Sequence, residues 1–138
     1  MNNKFLPVEL NDEEIEYIED KLEAYDREYI TYKLNEHICI GMKDGEKVIA
    51  GACACMTDFK ILYVSTFYIE KEYRHQGIGK KLMEEVEIRA KALGANTIRL
   101  DSYNWQGRDF YKALDFIEVG SYENKEDGYS EHFFVKYI

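Results

Sequence analysis

The chain has 138 residues, with 27 acidic and 18 basic side chains and a formal net charge of −9. Its length predicts one domain, residues 1–138, with a real hydrophobic core; 46% apolar residues and a single proline exclude disordered, collagen-like and linker-like chains. The acidic balance argues against a nucleic-acid partner. No apolar run approaches the roughly 18 residues of a membrane span, and no basic start leads into an apolar leader, so a cytoplasmic protein is expected.

The charge is uneven. Residues 1–36 hold 11 acids and 4 bases, and the remaining residues 16 acids and 14 bases. The acidic stretch coincides with a helical pattern. Asn11 or Asp12 can cap it, Glu13 and Glu14 suit its first turn, and Ile15, Ile18, Leu22 and Tyr25 form one apolar stripe. Three strand signals follow: His37–Met42, Lys47–Met56 and Ile61–Ile69, separated by the turn-like stretches 43–46 and 57–60. They predict an antiparallel meander. Cys39, Cys53 and Cys55 are odd in number, and Cys-x-Cys is neither a zinc nor a redox spacing. They are expected as small buried hydrophobes in a reducing compartment, since a nucleophilic role needs a nearby histidine, for which His37 is the candidate.

After Gly77 the period changes. Ile78, Leu82, Val86, Ala90 and Leu93 mark a helix stripe that stops at Leu93-Gly94. Thr97–Leu100 reads as a strand, Gln106–Leu114 as a short helix, and Phe116–Tyr122 and Glu131–Ile138 as two final strands around the acidic loop 123–128. The strand–helix–strand step from Ile61 to Leu100 predicts a parallel pair joined by a right-handed crossover. The fold class is therefore α/β, a mixed and mostly antiparallel sheet flanked by helices.

Chemistry concentrates where the third strand ends. Residues 71–81 carry four bases and one acid in an otherwise acidic chain. A strand, a basic glycine-containing turn and a helix start expose backbone N–H groups and a positive dipole end, a site for phosphate. Gly77 and Gly79 let an anion approach the main chain. Neither nucleotide motif fits: the third glycine of Gly-x-Gly-x-x-Gly is replaced by Leu82, and the P-loop gap is one residue rather than four.

The string Arg74-x-x-Gly77-x-Gly79 resembles the Arg/Gln-x-x-Gly-x-Gly/Ala motif of the GNAT superfamily of N-acetyltransferases. Asn104 through Phe116 resembles that family's downstream Asn-x-x-Ala-x-x-Phe/Leu-Tyr-x-x-x-Gly-Phe, with Gly107 in place of alanine and Asp115 in place of glycine. The resemblance covers residues 36–138; residues 1–35 correspond to a variable helical start. It implies a single acetyltransferase domain whose parallel strands, Ile61–Ile69 and Thr97–Ser102, splay apart. It implies acetyl-coenzyme A as cosubstrate and no metal. The pyrophosphate would lie on the backbone from His75 and Gln76 through Gly77, Ile78, Gly79 and Lys80, with charge from Arg74 and Lys80. The pantetheine would pair with the main chain at Phe67 and Ile69 and hydrogen-bond Asn104, and Tyr111 would protonate the departing thiolate.

The resemblance further implies transfer to a primary amine on a small molecule or protein, and dimers are frequent in the family. The acidic surface favours a cationic acceptor. The general base is open among Asp58, Asp101, Ser102 and His132. Tyr63 stands where some members carry a glutamate and is a poor base at neutral pH. Without an obvious base, a non-catalytic acyl-coenzyme A sensor is the alternative.

Overall fold

A computed structural model describes residues 4–138. The chain forms two compact units, one ending at Tyr32 and the other spanning Lys33–Ile138. The first holds helix α1 (Asp12–Asp26). Asn11 is its cap: the Glu14 N–H donates to Asn11 Oδ1 at 2.9 Å, and the Asn11 N–H donates to Glu14 Oε1 at 3.1 Å. This reciprocal box satisfies two otherwise orphaned donors. Asp12, Glu13 and Glu14 occupy the first turn, where the helix dipole favours negative charge.

The second unit runs β1 (His37–Asp44), β2 (Lys47–Met56), β3 (Ile61–Ile69), a 3₁₀ turn (Lys71–Tyr73), α2 (Ile78–Ala92), β4 (Thr97–Tyr103), α3 (Arg108–Ala113), β5 (Ile117–Asn124) and β6 (Tyr129–Tyr137). One six-stranded sheet has the order β1-β2-β3-β4-β6-β5. All neighbours are antiparallel except β3 and β4. The fold is therefore the mixed α/β sheet that the sequence predicts.

Period-two alternation builds the core. Ala50, Ala52, Ala54 and Met56 of β2 are buried, together with Ile38 of β1 and Leu62 and Val64 of β3. They join Leu82, Met83, Val86 and Ala90 of α2 in one cluster with Ile98, Leu100 and Phe134. The alanines keep β2 low, so the larger α2 side chains fit above it. The cysteines are not core residues. Cys39 is exposed, and Cys53 and Cys55 are half-buried. They occupy the other face of the same strands because Ile38 and Ile40 of β1 and the interleaved alanines of β2 take the inner one.

Two local features depart from the sequence expectation. Helix α3 begins at Arg108 rather than Gln106, because the Gln106 side chain accepts the Tyr103 N–H at 2.7 Å and holds residues 103–106 as a turn. The last two strands extend to Asn124 and back from Tyr129, which leaves a tight turn at 125–128 closed by Gly128 N–H to Asn124 O at 2.8 Å.

Helix α3 is fastened to the end of the sheet by charge. Arg108 Nε donates to Glu118 Oε1 at 2.9 Å, and His132 Nδ1 lies 2.8 Å from the same oxygen, at an angle outside hydrogen-bond geometry. The Arg108 hydrogen bond holds the Glu118 carboxyl below its ordinary range; burial opposes this, and the charges of Arg108, Lys112 and His132 add to it. A lowered carboxylate stabilises the fold above its unfolded value, and the contribution is lost as pH falls through the lower folded value. Glu118→Gln is therefore expected to lower the melting temperature at pH 7 and to flatten its decline between about pH 5 and pH 3. Melts of both proteins across that range check it; parallel curves would contradict it.

Candidate functional site

The site begins with an irregularity in the sheet. Cys53 faces Thr66 and Ala54 faces Val64, which leaves Ser65 of β3 as a bulged residue. The Ser65 hydroxyl donates to Cys53 O at 3.2 Å and holds the bulge in place. A bulge bends and twists its strand. Parallel pairing of β3 with β4 accordingly covers only Ile61, Leu62 and Tyr63 against Thr97, Ile98 and Arg99. Beyond it β3 continues to Ile69 and β4 to Tyr103, the latter still paired with β6. A gap opens between the two central strands, along the edge of Ser65–Ile69.

At the far end of β3 the chain enters α2 through a turn with alternating backbone hand. His75 has φ of 61° and Gly77 has φ of 79°. Gly77 is the helix cap and supplies no side-chain bond, and the first turn contains no acid. The first intrahelical bond here is Lys81 N–H to Gly77 O at 3.1 Å. The amides of Ile78, Gly79 and Lys80 thus lack helical partners, with the dipole's positive end behind them. Gly79 has a steric reason to be glycine: a Cβ there would lie 2.9 Å from the Phe110 ring. That ring packs on Phe67 of β3 at 5.6 Å and brings α3 against the loop.

The other candidate residues have differing engagements. Arg74 is partly committed: its Nε donates to Ile69 O at 2.9 Å and its guanidinium lies 5.4 Å over the Tyr68 ring. Its remaining donors face solvent. The Gln76 side chain donates to Glu72 O at 3.1 Å, which closes the basic turn on itself. Lys80 is exposed and enters no ion pair among the described residues. Asn104 staples β4 to β6, since its Oδ1 accepts the Ser130 N–H at 2.9 Å and its own N–H donates to Ser130 O at 3.0 Å. That fixes the amide orientation and leaves Nδ2 as the outward donor.

Tyr111 is buried in this region, on α3. Its ring is enclosed by Phe67, Phe110, Phe116 and Phe134 at centroid distances of 6.2, 5.3, 5.8 and 5.8 Å. Burial pushes its hydroxyl up to about 12. Among the described residues, His132 Nδ1 is the one buried side-chain atom without a hydrogen-bond partner. The Tyr111 oxygen, which has no partner in the chain, therefore keeps access to open space.

The base candidates separate. The Ser102 hydroxyl is structural: it accepts the Gly107 N–H at 3.2 Å and donates to Tyr103 O at 3.3 Å. His132 is buried between Glu118 and Ser130, whose Oγ lies 2.8 Å from Nε2. Asp58 lies in the turn before β3, at the end where the parallel strands are still paired. Asp101 stands where β4 has parted from β3 while still paired with β6, and accepts the Tyr63 hydroxyl at 3.0 Å. That hydroxyl is raised by burial and then by the Asp101 hydrogen bond, a direction that makes Tyr63 a poorer base near neutrality.

Sequence reasoning missed Glu131, whose charge also raises Tyr63 and which accepts a hydrogen bond from the Tyr122 hydroxyl. Glu131 faces Tyr103 across β4 and β6. Tyr103 in turn stacks on Trp105 at 4.6 Å, with Tyr129 edge-on. Two carboxylates and a tyrosine-rich wall thus line one face beside the gap. No local signal marks this pairing, because residues 103 and 131 meet only through the sheet.

A parted parallel strand pair beside an uncapped, glycine-led helix start can hold an extended chain along the strand edge and a pyrophosphate on the amides. Residues 6–116 match the acetyltransferase (GNAT) family. The chain belongs to the GNAT family. An acetyltransferase from Bacillus cereus ATCC 14579 is 30% identical, with a TM-score of 0.84 over 97% of this chain and 98% of that one. PaiA N-acetyltransferase from Thermoplasma acidophilum, solved with coenzyme A, has the same fold at 20% identity and a TM-score of 0.64, over 94% of this chain and 80% of that one. The bovine thialysine N-epsilon-acetyltransferase is 40% identical over 55 residues, which span 38% of this GNAT chain and 32% of that protein. Among the described residues no cluster of three or more His, Cys, Asp or Glu is arranged to hold a metal, and no helix is long and apolar enough to cross a membrane.

Proposed function

We propose that this protein transfers the acetyl group of acetyl-coenzyme A directly to a primary amine. The observation that carries the reading is the strand gap after Tyr63 and Arg99, with unpartnered amides of α2 at the other end of β3. The pyrophosphate would rest on the backbone of residues 76–80, with Lys80 and the free donors of Arg74 adding charge. The pantetheine would lie along the open edge of β3 at Phe67 and Ile69, near Asn104 Nδ2. The free amine attacks the thioester carbon, a C–N bond forms, the C–S bond breaks and the nitrogen sheds a proton.

Tyr111 acts on the sulfur. With its hydroxyl pushed up to about 12, Tyr111 is a weaker acid than a thiol, so full proton transfer to the thiolate is uphill. Its principal contribution is therefore a hydrogen bond that strengthens as charge grows on sulfur. The sulfur's final proton comes from solvent or from the nitrogen. Asp101 and Glu131 favour a cationic acceptor, because an alkylamine arrives mostly protonated and a carboxylate can hold it and accept its proton, directly or through water.

Thermal shift with acetyl-coenzyme A, followed by an amine panel read by thiol release, tests the reading. Stabilisation and turnover are expected. No stabilisation would overturn coenzyme use, and stabilisation without turnover on any amine would indicate the sensor instead. Asp101→Asn with Glu131→Gln is expected to raise KM for cationic amines about tenfold or more without changing stabilisation by the coenzyme. Equal loss on neutral and cationic amines would reject the acceptor assignment.

A further inference from the structure

The outer face of β1 and β2 carries reactive groups that acetyl transfer leaves unused. Cys39 stands directly opposite Cys53, and two pairs further along, on the same face, His37 stands opposite Cys55. The side-chain interaction with Cys39, then burial, then the charge of Cys39, raise the Cys53 thiol above its ordinary range. Cys39 is exposed, so it meets a solute first. Both cysteines line an open concavity of about 560 Å³, with Thr66 and Tyr68 beside them.

The register selects one pair among the three thiols. Directly opposed residues of antiparallel strands have Cα atoms about 4.5–5.5 Å apart, inside the disulfide range of about 4.4–6.8 Å. Cys53 and Cys55, two positions apart on one strand, are about 6.8 Å apart with side chains standing side by side. Cys39 and Cys55 are diagonal neighbours at roughly 7–8 Å. Cys39 and Cys53 are the pair whose register places facing side chains well inside the disulfide range.

We propose that Cys39 and Cys53 form a hydroperoxide-responsive dithiol that closes to a cross-strand disulfide. The Cys39 sulfur attacks a peroxide oxygen: the O–O bond breaks, an S–O bond forms, and the leaving hydroxide takes the thiol proton as water. The Cys53 sulfur then attacks the Cys39 sulfur: an S–S bond forms, the S–O bond breaks, and hydroxide leaves with the Cys53 proton as a second water. The two sulfurs are oxidised by two electrons in total, and the peroxide is reduced to two waters. The bond joins β1 to β2 beside the Ser65 bulge.

The test treats the full chain with hydrogen peroxide, blocks remaining thiols, and maps tryptic peptides by mass. Lys43 and Lys47 separate the two cysteines, so closure links Leu34–Lys43 to Val48–Lys60 with the loss of two hydrogens. The link is expected in the native chain and in C55S, and absent in C39S and C53S. Fragmentation of the linked peptide from the native chain assigns Cys53 over Cys55 without relying on any variant folding. A link that survives in C53S but vanishes in C55S would overturn the proposal. So would sulfinic or sulfonic Cys39 with no link, or links found only between copies of the chain.

Discussion

Replacing Tyr111 by phenylalanine is expected to lower turnover about 10²-fold or more, with acetyl-coenzyme A affinity unchanged. The structure makes this substitution unusually clean. Four phenylalanine rings hold the Tyr111 ring, so its position does not depend on the oxygen. Burial alone accounts for the raised hydroxyl, and no partner in the chain is orphaned when the oxygen is removed. Because burial pushes the hydroxyl up to about 12, it is protonated throughout the working range. The variant should therefore lower the pH–rate plateau without moving its neutral limb, which belongs to the amine and its base. Thiol-release kinetics across pH, with a coenzyme titration, check both parts. Unchanged turnover would remove Tyr111 from the reaction; lost coenzyme stabilisation would make it a packing residue.

Phe134→Ala is expected to cost about 3–5 kcal/mol of folding stability, a large share of the roughly 5–15 kcal/mol typical of a domain. Phe134 is 1% exposed on β6, facing Leu100 of β4 and Glu118 of β5, and its ring packs on Tyr111. Truncation opens a cavity at the junction of three strands and α3, where rigid neighbours limit collapse. The melting temperature should fall by roughly 10 °C or more, and the urea midpoint should drop with little change in slope. Phe134→Leu, closer in volume, should cost much less. A loss below about 1 kcal/mol for the alanine variant would mean that this junction is not a rigid core.

These two residues show how unevenly the sequence speaks. Tyr111 stands out through its place in the downstream motif, and its helix is found within two residues. Phe134 reads only as one apolar residue in a last strand. Nothing local says that this strand lies between β4 and β5 rather than at the sheet's edge. Glu131 and Asp101 behave likewise, since their shared face exists only because residues 103 and 131 are paired.

What the sequence by itself determined is local and periodic. The six strands, the amphipathic stripe of α2 and the capping of α1 follow from alternation, period and cap chemistry. So does the sign inversion of residues 71–81, which sharpens the opening arithmetic: a chain of net charge −9 concentrates its acid before residue 37 and keeps one basic turn. Tertiary structure alone decided the rest. The Ser65 bulge parts β3 from β4, β6 inserts between β4 and β5, and the alanines of β2 turn its cysteines outward, where Cys53 faces Cys39. Each depends on which residues meet across strands distant in the chain. Local propensity and hydrophobic period do not encode those meetings, because they are set by register and packing.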